Sequence, residues 1–267
     1  MKTMSPAMKE TVETVKFLLY GIGIFLVIRI LIFQPFTIPS ESMVPLLHKG
    51  DYIIVTKYNY GYSHHSIPFS PRFFSGRILG SEPKRGDVVV FKLPRDGHTD
   101  YIKRLIGLPG DRVQMVEGTP VINGVPVKHE RLTMTRTPGP FGVKARQIRE
   151  TLPEGRAFIT FDRTTNELDD TDVFVVPEGH YFFMGDNRDN SADSRLNRET
   201  GVGFVPAENI VGKAQIILLA WSDGVSIFKP WTWFTKAEPK RFFTTLDKEA
   251  LTTEPLPVTL PSEEWTR

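Results

Sequence analysis

Between Phe17 and Phe33 the chain reads FLLYGIGIFLVIRILIF, with Arg29 as its single charge. A helix crossing a bilayer core needs about 20 apolar residues, with a range of roughly 17 to 25. Gln34 to Phe36 bring this run close to that length. Its apolar residues occupy every face of a helix rather than one stripe, which argues against a helix packed on a soluble core. A removable leader would need small residues before a cleavage point. The exit instead reads Phe33-Gln34-Pro35-Phe36-Thr37-Ile38-Pro39, with nothing like Ala-x-Ala. Residues 17–36 are therefore expected to form an uncleaved transmembrane anchor. Arg29 sits near its far end, where a long side chain can carry its charge out to the interface. Lys2, Lys9 and Lys16 precede the span and favour a cytoplasmic tail over 1–16, although Lys49 and Lys57 soon follow it and weaken that asymmetry. On this orientation the bulk of the chain lies outside the cytoplasm.

The net charge of +2 is small and the basic residues are scattered, so nucleic acid is not the expected partner. The absence of cysteine removes disulfides, thiol catalysis and thiolate metal sites.

After the anchor the pattern changes to short β-branched and aromatic runs separated by turn residues. Tyr52–Val55, Val88–Phe91, Tyr101–Ile106, Val113–Val116, Val121–Ile122, Val173–Val176, Tyr181–Phe183 and Ile216–Leu219 read as strands. The body is thus expected to be mainly β. Leu108-Pro109-Gly110-Asp111 suits a type II turn and Asn123-Gly124 a two-residue hairpin; together they place reversals on either side of the Val113–Val116 strand. Residues 127–172 are more charged and include Thr137-Pro138-Gly139-Pro140 and Glu167-Leu168-Asp169-Asp170. They read as an inserted lobe dividing a β core into 37–126 and 173–238, with a tail over 239–267.

Six histidines are present, none in a metal-binding spacing such as His-Glu-x-x-His. His64 and His65 are adjacent, would point to opposite sides of a strand, and read as solvent-facing. No Gly-x-Ser-x-Gly elbow occurs. The serines of Pro39-Ser40-Glu41-Ser42-Met43-Val44-Pro45 therefore need another base if either is a nucleophile. In Asp100-Tyr101-Ile102-Lys103-Arg104-Leu105-Ile106, alternation puts Lys103 beside Tyr101 and Leu105, with Ile102 and Ile106 on the other face. A lysine among apolar residues is a candidate for burial. Lowering its pKa from about 10.4 to near 7 takes roughly 4 to 5 kcal/mol, and a neutral amine can then deprotonate a serine. The competing reading is an ordinary solvated strand lysine, with Ser40 a turn residue.

Four blocks in order resemble the boxes of bacterial type I signal peptidases, the Ser-Lys dyad serine proteases also called leader peptidases. They are Pro39–Pro45, Gly50–Lys57, Tyr101–Asp111 and Gly185–Arg195. The similarity covers roughly Phe36 to Asn123 and Val173 to Gly212, and a membrane anchor just before the serine box agrees with it. The fold implied is an N-terminal transmembrane helix followed by a signal-peptidase-like β catalytic domain with an inserted β-rich lobe. The activity implied is removal of N-terminal signal peptides from exported preproteins after a small-x-small site, through an acyl-enzyme and without cofactor or metal. By the same resemblance Ser42 is the nucleophile and Lys103 the general base, while Ser191 hydrogen-bonds the lysine nitrogen. Ser40, with the Ser42 N–H, forms the oxyanion hole; on an extended segment residues two apart would face the same side. Asp193 and Arg195 support the site through a salt bridge, and Asp186 and Asn187 shape the turn carrying Ser191. Phe36, Ile38, Met43, Tyr101 and Ile102 resemble the walls of the pockets for small side chains, ordinary packing being the alternative for each. The partners implied are secretory preproteins, membrane lipid and, by proximity, the export translocon. The location implied is the bacterial inner membrane, single-pass, with the catalytic domain on the extracytoplasmic side.

Two residues depart from the family pattern. Leu46 replaces a threonine common after the second proline, and Glu41 stands where a smaller residue is frequent. Trp221–Phe234, with Trp231 and Trp233 near Lys229 and Lys236, is a candidate membrane-interface patch, with packing on the β core as its alternative. Two other functions fit the same anchor and β body. One is a noncatalytic domain that binds exported polypeptides and needs no lysine aimed at Ser42; the other is a Ser-Lys enzyme specialised for a different precursor.

Overall fold

The computed structural model of the chain describes residues 5–137, 142–222, 225 and 231–247. Helix α1 spans Pro6–Leu31. Ser5 caps it, its Oγ accepting from the Met8 N–H at 3.3 Å, and Pro6 occupies the first turn where a missing N–H costs nothing. Its 26 residues rise by ~39 Å, enough to cross a bilayer core. None of its side chains is buried, and Phe17, Tyr20 and Ile24 are 76%, 71% and 63% exposed, as suits a surface solvated by lipid. The helix ends earlier than the hydropathy implied. Phe33–Thr37, counted above partly into the span, is strand β1. Pro35 is the physical reason: it cannot donate within a helix and disfavours helical geometry at Gln34, but is tolerated on an edge strand.

The remaining elements follow as β2 (Tyr52–Thr56), β3 (Val88–Lys92), β4 (Asp100–Gly107), β5 (Arg112–Val116), β6 (Thr119–Ile122), β7 (Val125–Pro126), β8 (Lys128–Arg136), β9 (Lys144–Thr151), β10 (Ala157–Asp162), β11 (Phe174–Val175), β12 (His180–Met184), β13 (Val205–Pro206), β14 (Ile210–Leu219), the single-turn α2 (Trp231–Thr235) and β15 (Thr244–Thr245). The main sheet has the order β1-β2-β14-β3-β4-β12-β13, with β15 added to β14. Strands β5, β6 and β7 with β11 make a four-stranded sheet, and β8, β9 and β10 make the three-stranded sheet of the inserted lobe. The architecture is thus an apolar N-terminal helix followed by a β domain carrying β-rich insertions.

The main sheet is covered on both faces. Val88 and Val90 of β3 join a cluster with Met43, Ile53 and Ile102, whereas Val89 and Phe91 join Leu105, Phe183 and Val205. Strand β4 divides in the same way, and Ile106 enters a third cluster with Val113 and Phe182. Alternation on such strands separates two buried faces rather than core from solvent.

Asp111 N–H donates to the Leu108 carbonyl at 3.0 Å and Gly110 has φ +84°, as a type II turn requires. Asn123 and Gly124, at φ +53° and +79°, reverse the chain between β6 and β7. The reversal directly after Val116 is a different one, at Glu117-Gly118 with φ +47° and +73°. His64 and His65 also depart from the expectation. They lie on one 3-10 turn capped by Ser63, not on a strand, and both are buried with their rings 3.9 Å apart. Burial pushes His65 down to about 4. Of the residues assigned to the tail, 239–247 supply β15 and Arg241, which pairs with Asp51 and donates to the Leu46 carbonyl at 3.2 Å. Residues 248–267, Lys229 and the Pro138-Gly139-Pro140 stretch lie outside the described residues.

Candidate active site

Beyond β1 the chain bends at Ser40 and turns through Ser42–Leu46. Val44 N–H donates to the Glu41 carbonyl at 3.2 Å and Leu47 N–H to the Met43 carbonyl at 2.9 Å. The serine segment is therefore a turn, not the extended strand invoked above, because these local hydrogen bonds close it. The turn still brings the two hydroxyls to 3.3 Å from each other. Ser42 is buried, and Ser40 is exposed beside it.

Lys103 enters from the middle of β4, where Val89 of β3 is its partner in register. It is 3% exposed, and its Nζ donates to Ser42 Oγ at 2.6 Å and to the Ile102 carbonyl at 3.0 Å. Burial pulls its pKa down to about 8, against the opposing pull of the Asp193 and Asp186 carboxylates. Stripped of water and facing a hydroxyl, the amine is poised to lose its proton near neutral pH.

Ser191 is 8% exposed, but the expected hydrogen bond to Lys103 is not formed. The amine turns instead toward the carbonyl of its own strand at Ile102. Ser191 Oγ lies near enough to the Asp193 carboxylate to help lower its pKa, though outside ordinary hydrogen-bond geometry. Asp193 is held below the usual carboxylate range: burial opposes this, but the Arg195 charge and hydrogen bonds outweigh it. Arg195 donates Nε to Asp193 Oδ1 and a terminal nitrogen to Oδ2, both at 2.9 Å, with neither side chain exposed. Gly185 N–H donates to the same Oδ2 at 3.0 Å.

Two contributors, Gly185 and Arg104, have no role assigned from the sequence, and a third, Asn187, does more than the sequence implies. A Cβ on Gly185 would lie 2.2 Å from Ser191 Oγ and 2.6 Å from the Ser42 carbonyl oxygen, so only glycine lets these segments approach. Asn187, expected only to shape its own turn, also grips the serine turn: its N–H donates to the Ser42 carbonyl at 3.1 Å and its Nδ2 to the Glu41 carbonyl at 3.0 Å. Arg104 forms a bidentate pair with Asp186, both bonds at 2.7 Å, with its guanidinium 4.0 Å from the Phe158 ring. The signal for Asn187 was its place in the Gly185–Arg195 block, and for Arg104 its adjacency to Lys103. The lobe contributes as well. Glu150 of β9 pairs with Arg188 at 2.5 Å and Phe161 N–H of β10 donates to the Asp186 carbonyl.

Of the residues read as pocket walls, Ile38, Met43 and Ile102 belong to one buried cluster with Phe36 packed against it. Met43 is fully buried. Tyr101 is partly buried against the opposite cluster, with Lys103 Nζ 5.3 Å from its ring centre.

The family described as Signal peptidase, peptidase S26, matches residues 11–221. The chain is similar to the signal peptidase I of Rickettsia prowazekii, with 44% identity over 232 residues covering 79% of this chain and 86% of that protein. With the Rickettsia canadensis signal peptidase I the identity is 42% over 243 residues, or 84% and 89% of the two chains. A solved signal peptidase I from Enterococcus faecalis aligns at 30% identity over 50% of this chain and 97% of its own, with a TM-score of 0.29.

Proposed function

The chain belongs to the signal peptidase S26 family and is a serine endopeptidase, and from that premise we propose that Ser42 is its nucleophile and Lys103 its general base. The observation that carries this is the 2.6 Å contact between a buried serine hydroxyl and a buried lysine amine whose pKa is drawn down to about 8. Neutral Lys103 takes the Ser42 proton as Oγ attacks the scissile carbonyl carbon. The Ser40 hydroxyl and the Ser42 N–H stabilise the oxyanion that develops. The lysine then returns the proton to the departing amine, leaving an ester on Ser42. Water, deprotonated by the same amine, hydrolyses that ester and releases the signal peptide.

The Asp193–Arg195 pair, which also holds the Gly185 N–H, fixes the segment carrying Ser191 beside the dyad, and Phe36, Ile38, Tyr101 and Ile102, with Met43 beneath them, form shallow pockets for a small-x-small sequence such as Ala-x-Ala. The substrate lies extended along the strand edge, where backbone hydrogen bonds align it. Residues 17–36, entering β1 at their end, anchor the enzyme in the inner membrane with 1–16 cytoplasmic. The β core of 37–126 and 173–238, its lobe at 127–172 and the tail from 239 lie on the outer side, near the export translocon. A membrane-tethered substrate and an anchored enzyme share one surface, which raises their effective concentration.

The test is cleavage of a preprotein with an Ala-x-Ala site by the detergent-solubilised full chain. Wild type cleaves after the second alanine, Ser42→Ala and Lys103→Ala abolish cleavage, and the wild-type rate climbs with pH through about 8 as the amine loses its proton. Full activity in Lys103→Ala would remove the proposed base.

A further inference from the structure

Successive antiparallel pairings β1-β2-β14-β3-β4 make β1 and β4 run in the same direction. Both strands lead toward the dyad, β4 reaching Lys103 three residues after Asp100 and β1 feeding the turn that carries Ser42. Followed backwards, away from the dyad, they end at a cavity of ≈ 550 Å³. Gln34 and Phe36 of β1 line it, with Asp100 and Lys92 at the β3–β4 hairpin, Arg29 at the end of α1, and a cover formed by residues 65–70. Phe36 lines this cavity and is also one of the residues proposed above to wall the small-residue pockets.

The charge in the cavity is unbalanced. Lys92 is spent on Asp100, at 2.8 Å, and on the His98 carbonyl. Arg29 has no ion-pair partner among the described residues. Behind the cover, buried Lys57 donates to the Ser66 carbonyl at 2.7 Å and fixes that loop. The cavity therefore presents a net positive field beside apolar walls, at the level where the anchor leaves the membrane.

We propose that this cavity is an upstream subsite, receiving the residues of the signal peptide that precede the small-x-small sequence and selecting against basic side chains there. It rests on the reading of the chain as a signal peptidase using Ser42 and Lys103. A strand advances about 3.3 Å per residue, so the stretch from Lys103 back past Asp100 corresponds to positions roughly four to six before the cut. Those residues join the membrane-embedded part of the signal peptide to the cleavage site, and the cavity lies between the end of α1 and the dyad, where such a segment must pass.

Three preproteins differing only in the fifth residue before the cut, as Gln, Glu or Lys, test this with the full chain in lipid vesicles. Wild type cleaves the Gln and Glu forms at similar kcat/KM and the Lys form about tenfold less well. In Arg29→Gln the lysine penalty shrinks to about two- or threefold, and in Arg29→Glu the order reverses. Each comparison is a ratio within one variant, so partial loss of folded enzyme does not produce it. A photoreactive side chain at the same substrate position crosslinks to residues 65–70 of Ser42→Ala. Cleavage of all three substrates with equal efficiency by wild type, or ratios unmoved by Arg29→Glu, overturns the subsite and leaves the dyad standing. Failure of wild type to cleave any of the three overturns the peptidase reading and the subsite with it.

Discussion

Lys103 and Arg104 are neighbours on β4, equally buried at 3% exposure, and their surroundings treat their charges in opposite ways. Arg104 meets Asp186 through two bonds of 2.7 Å and gives a third to the Gly86 carbonyl. Lys103 meets a hydroxyl and a carbonyl, and its nearest carboxylates are too weakly coupled to offset burial. A guanidinium cannot shed its proton in a protein and has to be matched where it is buried, whereas an amine can. The same desolvation thus yields a structural cation on one face of the strand and a base on the other.

The comparison breaks most sharply if Lys103 is given a charge it cannot lose. Lys103→Arg is expected to lower kcat/KM by about 10³- to 10⁴-fold, as for removal of a general base, at every pH from 6 to 10. A variant that regained activity at high pH would show that some other group accepts the Ser42 proton. On the opposite face, Arg104→Met leaves the Asp186 carboxylate buried and unpaired, which costs about 3–5 kcal/mol of stability. The double variant Arg104→Met/Asp186→Leu should recover much of that loss in thermal unfolding, because no lone charge remains. An additive double variant would mean that the pair is not what holds the two elements together.

The third expectation concerns the cost of keeping a lysine where it can act. Its folded pKa of about 8 lies below the ordinary 10.5, so below pH 8 both folded and unfolded chains bind the proton and the burial cost is fully present. Between pH 8 and 10.5 the unfolded chain holds the proton and the folded one does not, and stability rises with pH. The difference corresponds to about 3 kcal/mol. Lys103→Met should therefore be more stable than wild type at pH 7 by up to that amount, with the advantage gone by about pH 10.5. Unfolding midpoints of the two proteins in detergent at these pH values check it, and an advantage independent of pH would assign the gain to packing instead.

How much of this site could be read in the sequence differs between these same two residues. Alternation puts Lys103 and Arg104 on opposite faces of β4, and the apolar neighbours on both faces make Lys103 a candidate for burial, with a solvated strand lysine as the competing reading. What decides between the two lies far from β4 in the sequence: β14 inserts between β2 and β3, and β4 ends up deep in a sheet covered on both sides. The anchor was legible because lipid-facing helices carry apolar residues all round, although Pro35 ended the helix sooner than hydropathy did. His64 and His65 misled because a three-residue turn has no periodicity to detect. The Ser40–Ser42 proximity was anticipated from an extended geometry the segment does not adopt. The approach of Gly185 to the Ser42 carbonyl and the grip of Asn187 on the Glu41 and Ser42 carbonyls are hidden for a further reason: these partners are backbone atoms of a turn more than 140 residues earlier in the chain, and carbonyl groups leave no mark in a sequence.

Asn187 supplies the smallest of the expected effects and separates positioning from proton transfer. Its amide holds the Glu41 carbonyl and its backbone N–H the Ser42 carbonyl. Asn187→Ala removes the first bond and keeps the second. A single hydrogen bond of this kind contributes about 1 kcal/mol, so kcat/KM should fall by roughly fivefold as the nucleophile loses part of its alignment. The midpoint of the pH–rate profile should not move, because burial of Lys103 and its distance from Asp193 and Asp186 are set by β4 and not by the serine turn. A fall in rate accompanied by a shifted midpoint would mean that the serine turn also controls the solvation of the lysine. The distinction between a strand that tunes the base and a turn that aims the nucleophile would then have to be abandoned.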